Sequence, residues 1–205
     1  MEKVEIYPTQ EWIAGNFEST MSLIGKNLGD CPLGGLIERL GERYATCPAS
    51  TRKEYYSAFP GGLCYHNLHV LKWINKFASI MMPQVVPTGT MVKLAVLHEI
   101  GKVGTLEQEY YVRENSNYYN EKGYYYTYNQ KVPYMKVSDR SLYLAQQYGI
   151  TLTEEEYLSI LLYEGHHDED NDSHKYKEPP LALVLRNAST WARKLESDNV
   201  IHWPE

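Results

Sequence analysis

Residues 59–82 read FPGGLCYHNLHVLKWINKFASIMM, and this stretch decides the fold class. Its opening Phe-Pro-Gly-Gly interrupts regular structure, because proline and glycine disfavour helix and strand interiors. The apolar residues that follow recur at three- and four-residue steps, on one stripe of an α-helix: Leu63, Val70, Leu71, Ile74, Phe77, Ala78 and Met81. His66 lies close to this stripe, and a histidine near a buried face needs either a hydrogen-bond partner or a chemical role.

Apolar periodicity also predicts helices on both sides of this segment. We expect them over residues 10–27, 33–44, 88–101, 138–149, 153–161 and 180–196. Candidate capping residues support three of these starts: Thr88 or Thr90, Ser138, and Thr153 with Glu156 as a capping box. Gly101 is expected to end its helix, because glycine tolerates a left-handed terminus. The fold class predicted by the sequence is all-α.

The composition changes in residues 105–133, which show no helical period. Nine of the 19 tyrosines lie between Tyr110 and Tyr134, so we expect a tyrosine-rich loop or hairpin insertion here. Such tyrosines can form a protein-binding face, line a nucleotide pocket or stack on bases, and they can equally pack on one another. The expected organisation is one domain over residues 1–205. It has N-terminal helices in 1–47, a helical core in 48–104 and 134–197, and the insertion in 105–133.

Charge and cysteine content exclude several functional classes. The chain has 205 residues with 20 Lys and Arg against 26 Asp and Glu, a formal net charge of −6, so no duplex nucleic acid partner is expected. Cys31, Cys47 and Cys64 lack the spacing of a disulfide framework or a thiolate zinc site, so we expect a reducing, cytoplasmic location. No export signal or membrane span is expected, since the N-terminus is charged and no run of about 18 apolar residues occurs.

The motif with the most chemical content is His98-Glu99-Ile100-Gly101-Lys102, at an expected helix end. Successive residues of a helix point about 100° apart, so His98 and Glu99 reach one ion only if that helix end faces the site. His66 supplies a second imidazole, since two antiparallel helices can bring an imidazole each beside one carboxylate. This set suits a divalent transition metal (Mn, Fe, Co, Ni or Zn) better than Ca. Lys102 can pair with a phosphate. Alternatively, it only makes the favourable interaction of a cation with the C-terminal end of a helix.

Two segments carry a resemblance to a known family. Residues 59–68 and 97–104 together resemble the HD-domain superfamily of metal-dependent phosphohydrolases. Further segments, at 48–50, 139–144, 152–157 and 181–183, resemble the branch of that superfamily found in tailed phages and bacteria. The resemblance implies a bundle of about five core helices. It also implies a metal held by an early His, an adjacent His-Asp pair and a late Asp.

Two of the four implied ligands match this sequence and two do not. His66 corresponds to the early His and His98 to the first member of the pair, whereas Glu99 stands at the paired Asp and Ser189 at the late Asp. Glutamate keeps the charge and serine removes it, so weakened metal binding is expected. The resemblance also implies a His-Asp-Gly motif after the penultimate helix, where this sequence has Tyr163-Glu164-Gly165. Glu164 is therefore a candidate to restore the negative charge that is lost at Ser189.

The resemblance also implies roles for these residues. The metal ligands are His66, His98 and Glu99, with Glu99 and Lys102 as catalytic groups. The residues expected near the substrate phosphate are Lys102, Arg140 and Glu164. His166 or His167 are candidate substitute ligands, although a solvated acidic loop over 166–170 explains them with fewer assumptions. His69 is expected to face solvent or to act as a helix-capping residue.

Two functions follow as expectations. The first is a metal-dependent phosphohydrolase of small phosphate esters or nucleotides, in which the metal polarises the phosphoryl group and Glu99 steers or deprotonates water. The second is a catalytically inactive HD-fold protein. It would bind a nucleotide in the old cleft, or a protein partner through the tyrosines between Tyr110 and Tyr134.

Overall fold

The structure is a computed structural model that describes residues 8–165 and 169–197. This part of the chain is mostly helical, in agreement with the all-α class. Its nine α-helices are α1 (Gln10–Leu28), α2 (Leu33–Leu40), α3 (Glu42–Thr46), α4 (Gly62–Met81), α5 (Thr88–Leu97), α6 (Asn117–Glu121), α7 (Val137–Gln147), α8 (Glu154–Leu161) and α9 (Pro180–Ser197). Short 3-10 helices cover Ile100–Val103 and Glu169–His174, and two strands, β1 (Tyr111–Arg113) and β2 (Tyr126–Tyr128), pair antiparallel.

Helix α4 organises the core. It packs most extensively against α9 and also against α5, while α8 packs on α9 and α5, and α1 packs on α4 and α5. The predicted stripe of α4 is buried at Leu63, Val70 and Ile74, which have no solvent exposure. Burial of one such aliphatic side chain contributes roughly 1.5–3 kcal/mol, so this stripe fixes the rotation of α4 about its axis. That rotation turns His66 inward, where it is also fully buried.

Several sequence-based helix bounds are confirmed. The predicted helix over 10–27 is α1, and the Thr9 side chain accepts a hydrogen bond from Trp12 N at its start. The capping box of α8 forms in both directions between Thr153 and Glu156. Helix α9 begins at Pro180 as predicted.

Other bounds are wrong, each for a local reason. The single helix expected over 33–44 is divided into α2 and α3 at Gly41, whose φ of 52° lies in the left-handed region that glycine favours. Neither Thr88 nor Thr90 caps α5, because Pro87 precedes the helix with its φ already near −60°. Ser138 does not cap α7 either, since that helix begins one residue earlier, after Lys136.

Gly101 does not end a helix in a left-handed conformation, contrary to the expectation. Helix α5 stops at Leu97, and the chain continues through His98 and Glu99 into the 3-10 helix that contains Gly101. A Cβ at Gly101 would lie 2.3 Å from the carbonyl oxygen of Val137. Glycine is therefore required here for close packing against α7 and not for its backbone angle.

The insertion forms the hairpin that the sequence allowed, with α6 between its two strands. Tyr110, Tyr111 and Tyr128 pack on one another with ring centroids 5.1–5.6 Å apart, while Tyr134 remains 82% exposed. The carbonyl oxygen of Thr51 accepts hydrogen bonds from the backbone N–H groups of residues 125 and 126. The insertion therefore braces the segment between α3 and α4.

The expectations from cysteine spacing and hydropathy can be compared with the structure. Cys31, Cys47 and Cys64 are all free thiols, as their spacing predicts. Across the described residues, no helix combines the length and apolar character needed to cross a membrane.

Candidate metal centre

The structure brings His66, His98 and Glu99 together in the interior. His66 lies in the second turn of α4, His98 follows the last residue of α5, and Glu99 is the next residue. All three side chains are fully buried, and one ligand atom from each lies within 4.8 Å of the other two. The two imidazole centroids are 5.7 Å apart. The convergence that the sequence predicted for two neighbouring helices is present.

A change of backbone conformation after His98 lets the adjacent imidazole and carboxylate share one site. The chain leaves the α-helix at Glu99, whose φ is −122° and ψ is 9°, so the 100° separation of a regular helix no longer applies. The turn is held from α7, where the Ser141 hydroxyl accepts a hydrogen bond from Gly101 N at 2.9 Å. Close contact between Gly101 and α7 thus directs the Glu99 side chain into the bundle.

Hydrogen bonds fix which nitrogen of each imidazole is available. His98 Nδ1 lies 2.9 Å from the Ala95 carbonyl oxygen, so Nδ1 carries the proton and Nε2 carries a lone pair. His66 Nδ1 lies 2.9 Å from a carboxylate oxygen of Glu196, which gives His66 the same tautomer. Both Nε2 atoms are buried and have no hydrogen-bond partner among the described residues. Metal-binding histidines in proteins are typically oriented in this way.

These three residues could hold a metal ion. His66 Nε2 lies 3.7 Å from Glu99 Oε2, and His98 offers one ring nitrogen to the same group. Burial lowers the pKa of His98 to about 3, although the charge of Glu99 opposes this shift, so the imidazole is neutral and able to bind a cation. Two imidazole nitrogens and one carboxylate are a donor set that occurs in protein metal sites.

Glu99 also accepts hydrogen bonds from three protein groups. Its Oε1 accepts from the Tyr56 hydroxyl at 2.8 Å and from Arg193 Nη2 at 2.6 Å, and its Oε2 accepts from Lys102 Nζ at 2.6 Å. Burial opposes ionisation of this carboxyl, yet the charges of Lys102 and Arg193 hold the pKa of Glu99 well below its ordinary value. Glu99 is therefore an ionised carboxylate with two cations already beside it.

Lys102 is placed next to the site, as predicted, although it is not free to interact as a simple surface cation. Its Nζ donates to Glu99 Oε2, to the Tyr56 hydroxyl at 2.6 Å and to the Ala49 carbonyl oxygen at 2.7 Å. These three acceptors match the three protons of an ammonium group. Burial lowers the pKa of Lys102, and the charge of Glu99 opposes that shift.

Glu196 is a buried carboxylate that sequence reasoning missed. It accepts hydrogen bonds from His66 Nδ1, from His69 Nδ1 at 3.2 Å and from Ser57 Oγ at 2.6 Å. Burial alone would raise its pKa, but the electrostatic interaction with the adjacent His66 ring and the hydrogen bonds from all three residues lower the pKa of Glu196 to about 2. His69 is correspondingly only 21% exposed and bonded to Glu196, so it neither faces solvent freely nor caps a helix.

Spacing along α9 contains the signal that would have found the missed residues. Ser189, Arg193 and Glu196 lie four and three residues apart, which places them on one face of the helix. Arg193 bonds Glu99 and Glu196 bonds His66, so this face is directed at the site. Ser189 is buried, and its hydroxyl has no hydrogen-bond partner in the described part of the chain.

The remaining predicted site residues are placed differently. Glu164 lies at the rim, with 45% of its side chain exposed and Oε1 4.0 Å from Arg193 Nη2. Arg140 is not brought to the cluster: its guanidinium donates to the carbonyl oxygens of Pro133 and Gly101 and stacks 4.1 Å from the Tyr110 ring centroid. His166 and His167 lie outside the described residues.

A cavity of about 260 Å³ is lined in part by Lys102, although none of the three cluster residues lines it. Its lining includes three cationic side chains, those of Arg43, Lys102 and Arg113, and one acidic side chain, that of Glu109. The hairpin contributes the Tyr111 side chain. In a chain of net charge −6, this excess of positive charge favours anions locally.

Comparison with known proteins gives no relative from which a role can be transferred. No family model, no curated protein and no solved structure matches the chain. The candidate function therefore depends on the chemistry of the side chains themselves and on the resemblance of the two histidine segments.

Proposed function

We propose that this chain is an HD-domain-like, metal-dependent phosphohydrolase of small phosphate esters or nucleotides. The observation that carries the proposal is the pair of buried Nε2 lone pairs on His66 and His98, each fixed by an Nδ1 hydrogen bond and both beside Glu99. Leaving buried polar atoms without partners is costly, so a ligand that satisfies both nitrogens accounts for their arrangement.

The resemblance to the HD-domain superfamily adds support from the order of the elements. His66 lies near the start of α4 and His98 with Glu99 follows α5, while α7, α8 and α9 complete a set of five core helices. A metal bound by these three residues would polarise a phosphoryl oxygen and lower the pKa of a bound water.

The other residues have roles that follow from their contacts. His66, His98 and Glu99 hold the ion, and Lys102 and Arg193 supply positive charge for the phosphate oxygens. Because the pKa of Glu99 is held well below its ordinary value, it is a weak proton acceptor, which favours the role of a ligand over that of a general base. Cationic residues of the cavity lined in part by Lys102 also favour an anionic substrate.

The test is metal content and hydrolysis measured on the same purified protein. We expect stoichiometric Mn or Co, and turnover of a generic phosphate monoester and of nucleoside monophosphates with Mn, Co or Mg. The substitution His98→Ala should abolish both, because it removes one of three ligands. His174→Ala, outside the cluster, is the matched control and should leave both unchanged. A folded wild-type protein that takes up no metal and hydrolyses nothing would exclude the proposal.

One observation favours a second function, a catalytically inactive HD-fold protein that binds a nucleotide or a protein partner. Glu99 is already neutralised by two cations, and the position of the late Asp is occupied by Ser189. In that case the combined substitution Glu99→Asp with Ser189→Asp should restore metal binding to an otherwise inert protein. The exposed Tyr118, Tyr119 and Tyr134 would then be the candidate partner surface.

A further inference from the structure

Arg193 occupies an unusual position for a cation beside a metal site. Its Nη2 donates to Glu99 Oε1 at 2.6 Å, and its guanidinium carbon lies 5.1 Å and 5.3 Å from the ring centroids of Tyr56 and Tyr163. Its Nε is buried and has no partner within the described ranges 8–165 and 169–197. The guanidinium is thus held beside the cluster by one carboxylate and two aromatic faces.

Positive charge already exceeds negative charge around Glu99. Lys102 and Arg193 both bond this single carboxylate, and the next carboxylate on that side, Glu164, is 4.0 Å from Arg193 and 45% exposed to solvent. A divalent cation on His66, His98 and Glu99 would add two positive charges in a buried region where screening is weak. A metal bound without a counter-anion is therefore opposed by the protein's own cations.

The two cations differ in their freedom to move. Lys102 has an acceptor for each of its three protons, and its side chain is 7% exposed. The Arg193 side chain is 27% exposed and lies at the side of the cluster that Glu164 borders. A guanidinium also binds two oxygens of a phosphate with parallel hydrogen bonds, which an ammonium does not. Arg193 is accordingly the group that can leave Glu99 and turn to an anion.

We infer that Arg193 forms a binding site for a phosphate dianion, with Lys102 as a second positive charge nearby. We also infer that phosphate and a divalent metal bind to this chain cooperatively. The inference rests on the proposed metal site. The dianion takes up the positive charge of Arg193. Glu99 Oε1 then keeps only the hydrogen bond from the Tyr56 hydroxyl and has a lone pair available to the metal, so each ligand removes the obstacle to the other. Because coupling between two ligands is reciprocal, metal must raise the affinity for phosphate by the same factor.

The experiment measures binding and does not depend on turnover. Equilibrium dialysis gives the Mn²⁺ affinity of the full chain with and without inorganic phosphate, and chloride at the same ionic strength controls for screening. For the wild-type protein we expect phosphate to tighten Mn²⁺ binding about tenfold or more, within the range typical of coupled sites. Phosphate binding, measured with and without Mn²⁺, should shift by the same factor.

Substitutions at Arg193 identify the residue responsible. In Arg193→Met, Mn²⁺ should bind more tightly than in wild type when phosphate is absent, and the effect of phosphate should fall to severalfold or less. Lys194→Met removes the same charge from an exposed position on the same helix and should behave as wild type. Arg193→Lys keeps a cation and should retain part of the coupling. Because the wild-type measurement needs no variant, a poorly folded substitution leaves the test intact.

The outcomes separate this inference from the proposed function. Mn²⁺ binding that is tight and indifferent to phosphate, in wild type and Arg193→Met alike, would overturn the cooperative site and leave the metal site standing. Absence of Mn²⁺ binding under every condition would overturn the metal site, and the inference with it. Coupling of equal size in wild type and Arg193→Met would show that Arg193 is not the phosphate ligand.

Discussion

His66 lies between two buried carboxylates that the protein neutralises in different ways. On its Nε2 side, Glu99 is bonded by Lys102 and Arg193, which carry fixed positive charges. On its Nδ1 side, Glu196 is bonded by two imidazoles and a serine hydroxyl. The first carboxylate has two fixed cations as partners, whereas the second has two imidazole rings and a hydroxyl group.

The difference shows which side of His66 is suited to a ligand and which is structural. Every oxygen of Glu196 is used in orienting His66 and His69 or in binding Ser57. On the Glu99 side, two imidazole nitrogens have no hydrogen-bond partner among the residues that the structure describes, and the carboxylate has two cations beside it. Chemistry with an external cation or anion is therefore expected at Glu99, with Glu196 holding the imidazole in place.

The largest expected effect compares the two carboxylates directly. Glu99→Gln removes the only carboxylate that bonds buried Lys102 among the described residues and leaves Arg193 with the distant, exposed Glu164, so it should lower the free energy of unfolding by about 3–5 kcal/mol. Glu196→Gln should cost about 1–3 kcal/mol, because its partners are hydrogen-bond donors that need no counter-charge when neutral. Urea denaturation near neutral pH with a chelator measures both. Glu164→Gln, at the exposed rim, is the control and should change stability by no more than about 0.5 kcal/mol.

Equal losses for Glu99→Gln and Glu196→Gln would contradict the comparison. That result would mean that the charges of Lys102 and Arg193 contribute no more to the site than the neutral donors around Glu196 do.

A smaller effect is expected from pH, through His98 on the Glu99 side. The folded-state pKa of His98 is about 3 against an ordinary value of 6.5, so its contribution to stability is complete above about pH 6.5 and is lost as pH falls. The reason is that the unfolded chain takes up a proton that the folded protein excludes. Between pH 6.5 and 5 this residue alone should lower the free energy of unfolding by about 2 kcal/mol.

Urea denaturation across that pH range, with a chelator present, measures the slope. His98→Gln should show a slope smaller by the same amount, since glutamine takes up no proton. An identical slope in the two proteins would mean that His98 is not held neutral by burial and by its cationic neighbours.

The smallest expected effect concerns the serine on the Glu196 side. Ser57 has a φ of 47°, unfavourable for a residue with a side chain, and donates to Glu196 at 2.6 Å. Ser57→Ala keeps the strained backbone and loses the hydrogen bond, at a cost of about 1.5 kcal/mol. Ser57→Gly loses the same bond but relieves the strain, so it should be more stable than Ser57→Ala by about 0.5–1 kcal/mol. Thermal unfolding measures the stability of the two variants. If Ser57→Ala were more stable than Ser57→Gly, the backbone at residue 57 would not be strained.

Part of the candidate site could be predicted from local sequence. His66 follows from its place beside an apolar stripe, and the pair His98-Glu99 from its place near a helix end. The way in which the two adjacent side chains reach one point could not be predicted. It depends on the departure from the helix at Glu99, which in turn depends on how closely α7 approaches Gly101.

The residues that bond the cluster could not be identified from the local sequence pattern either, because two of them lie far from it along the chain. Tyr56 and Arg193 are 43 and 94 residues from Glu99 along the chain, and only the packing of α9 on α4 brings Arg193 to it. Arg140 is the opposite case, a residue that was expected near the substrate but that the fold places away from the cluster. Its motif suggested a phosphate contact, but the nearest acceptors in the fold are backbone carbonyl oxygens.

The sequence by itself determined most of the helices and one of their predicted caps, Thr153 with Glu156, because apolar spacing and side-chain capping act within a few residues. It also determined that two imidazoles and a carboxylate would be buried on neighbouring elements. Only the tertiary structure decided the charge state of the site. Buried charges require partners. Apart from Lys102, the partners of Glu99 and His66 named here come from α9 and from the segment after α3, which are brought to them by packing between distant parts of the chain.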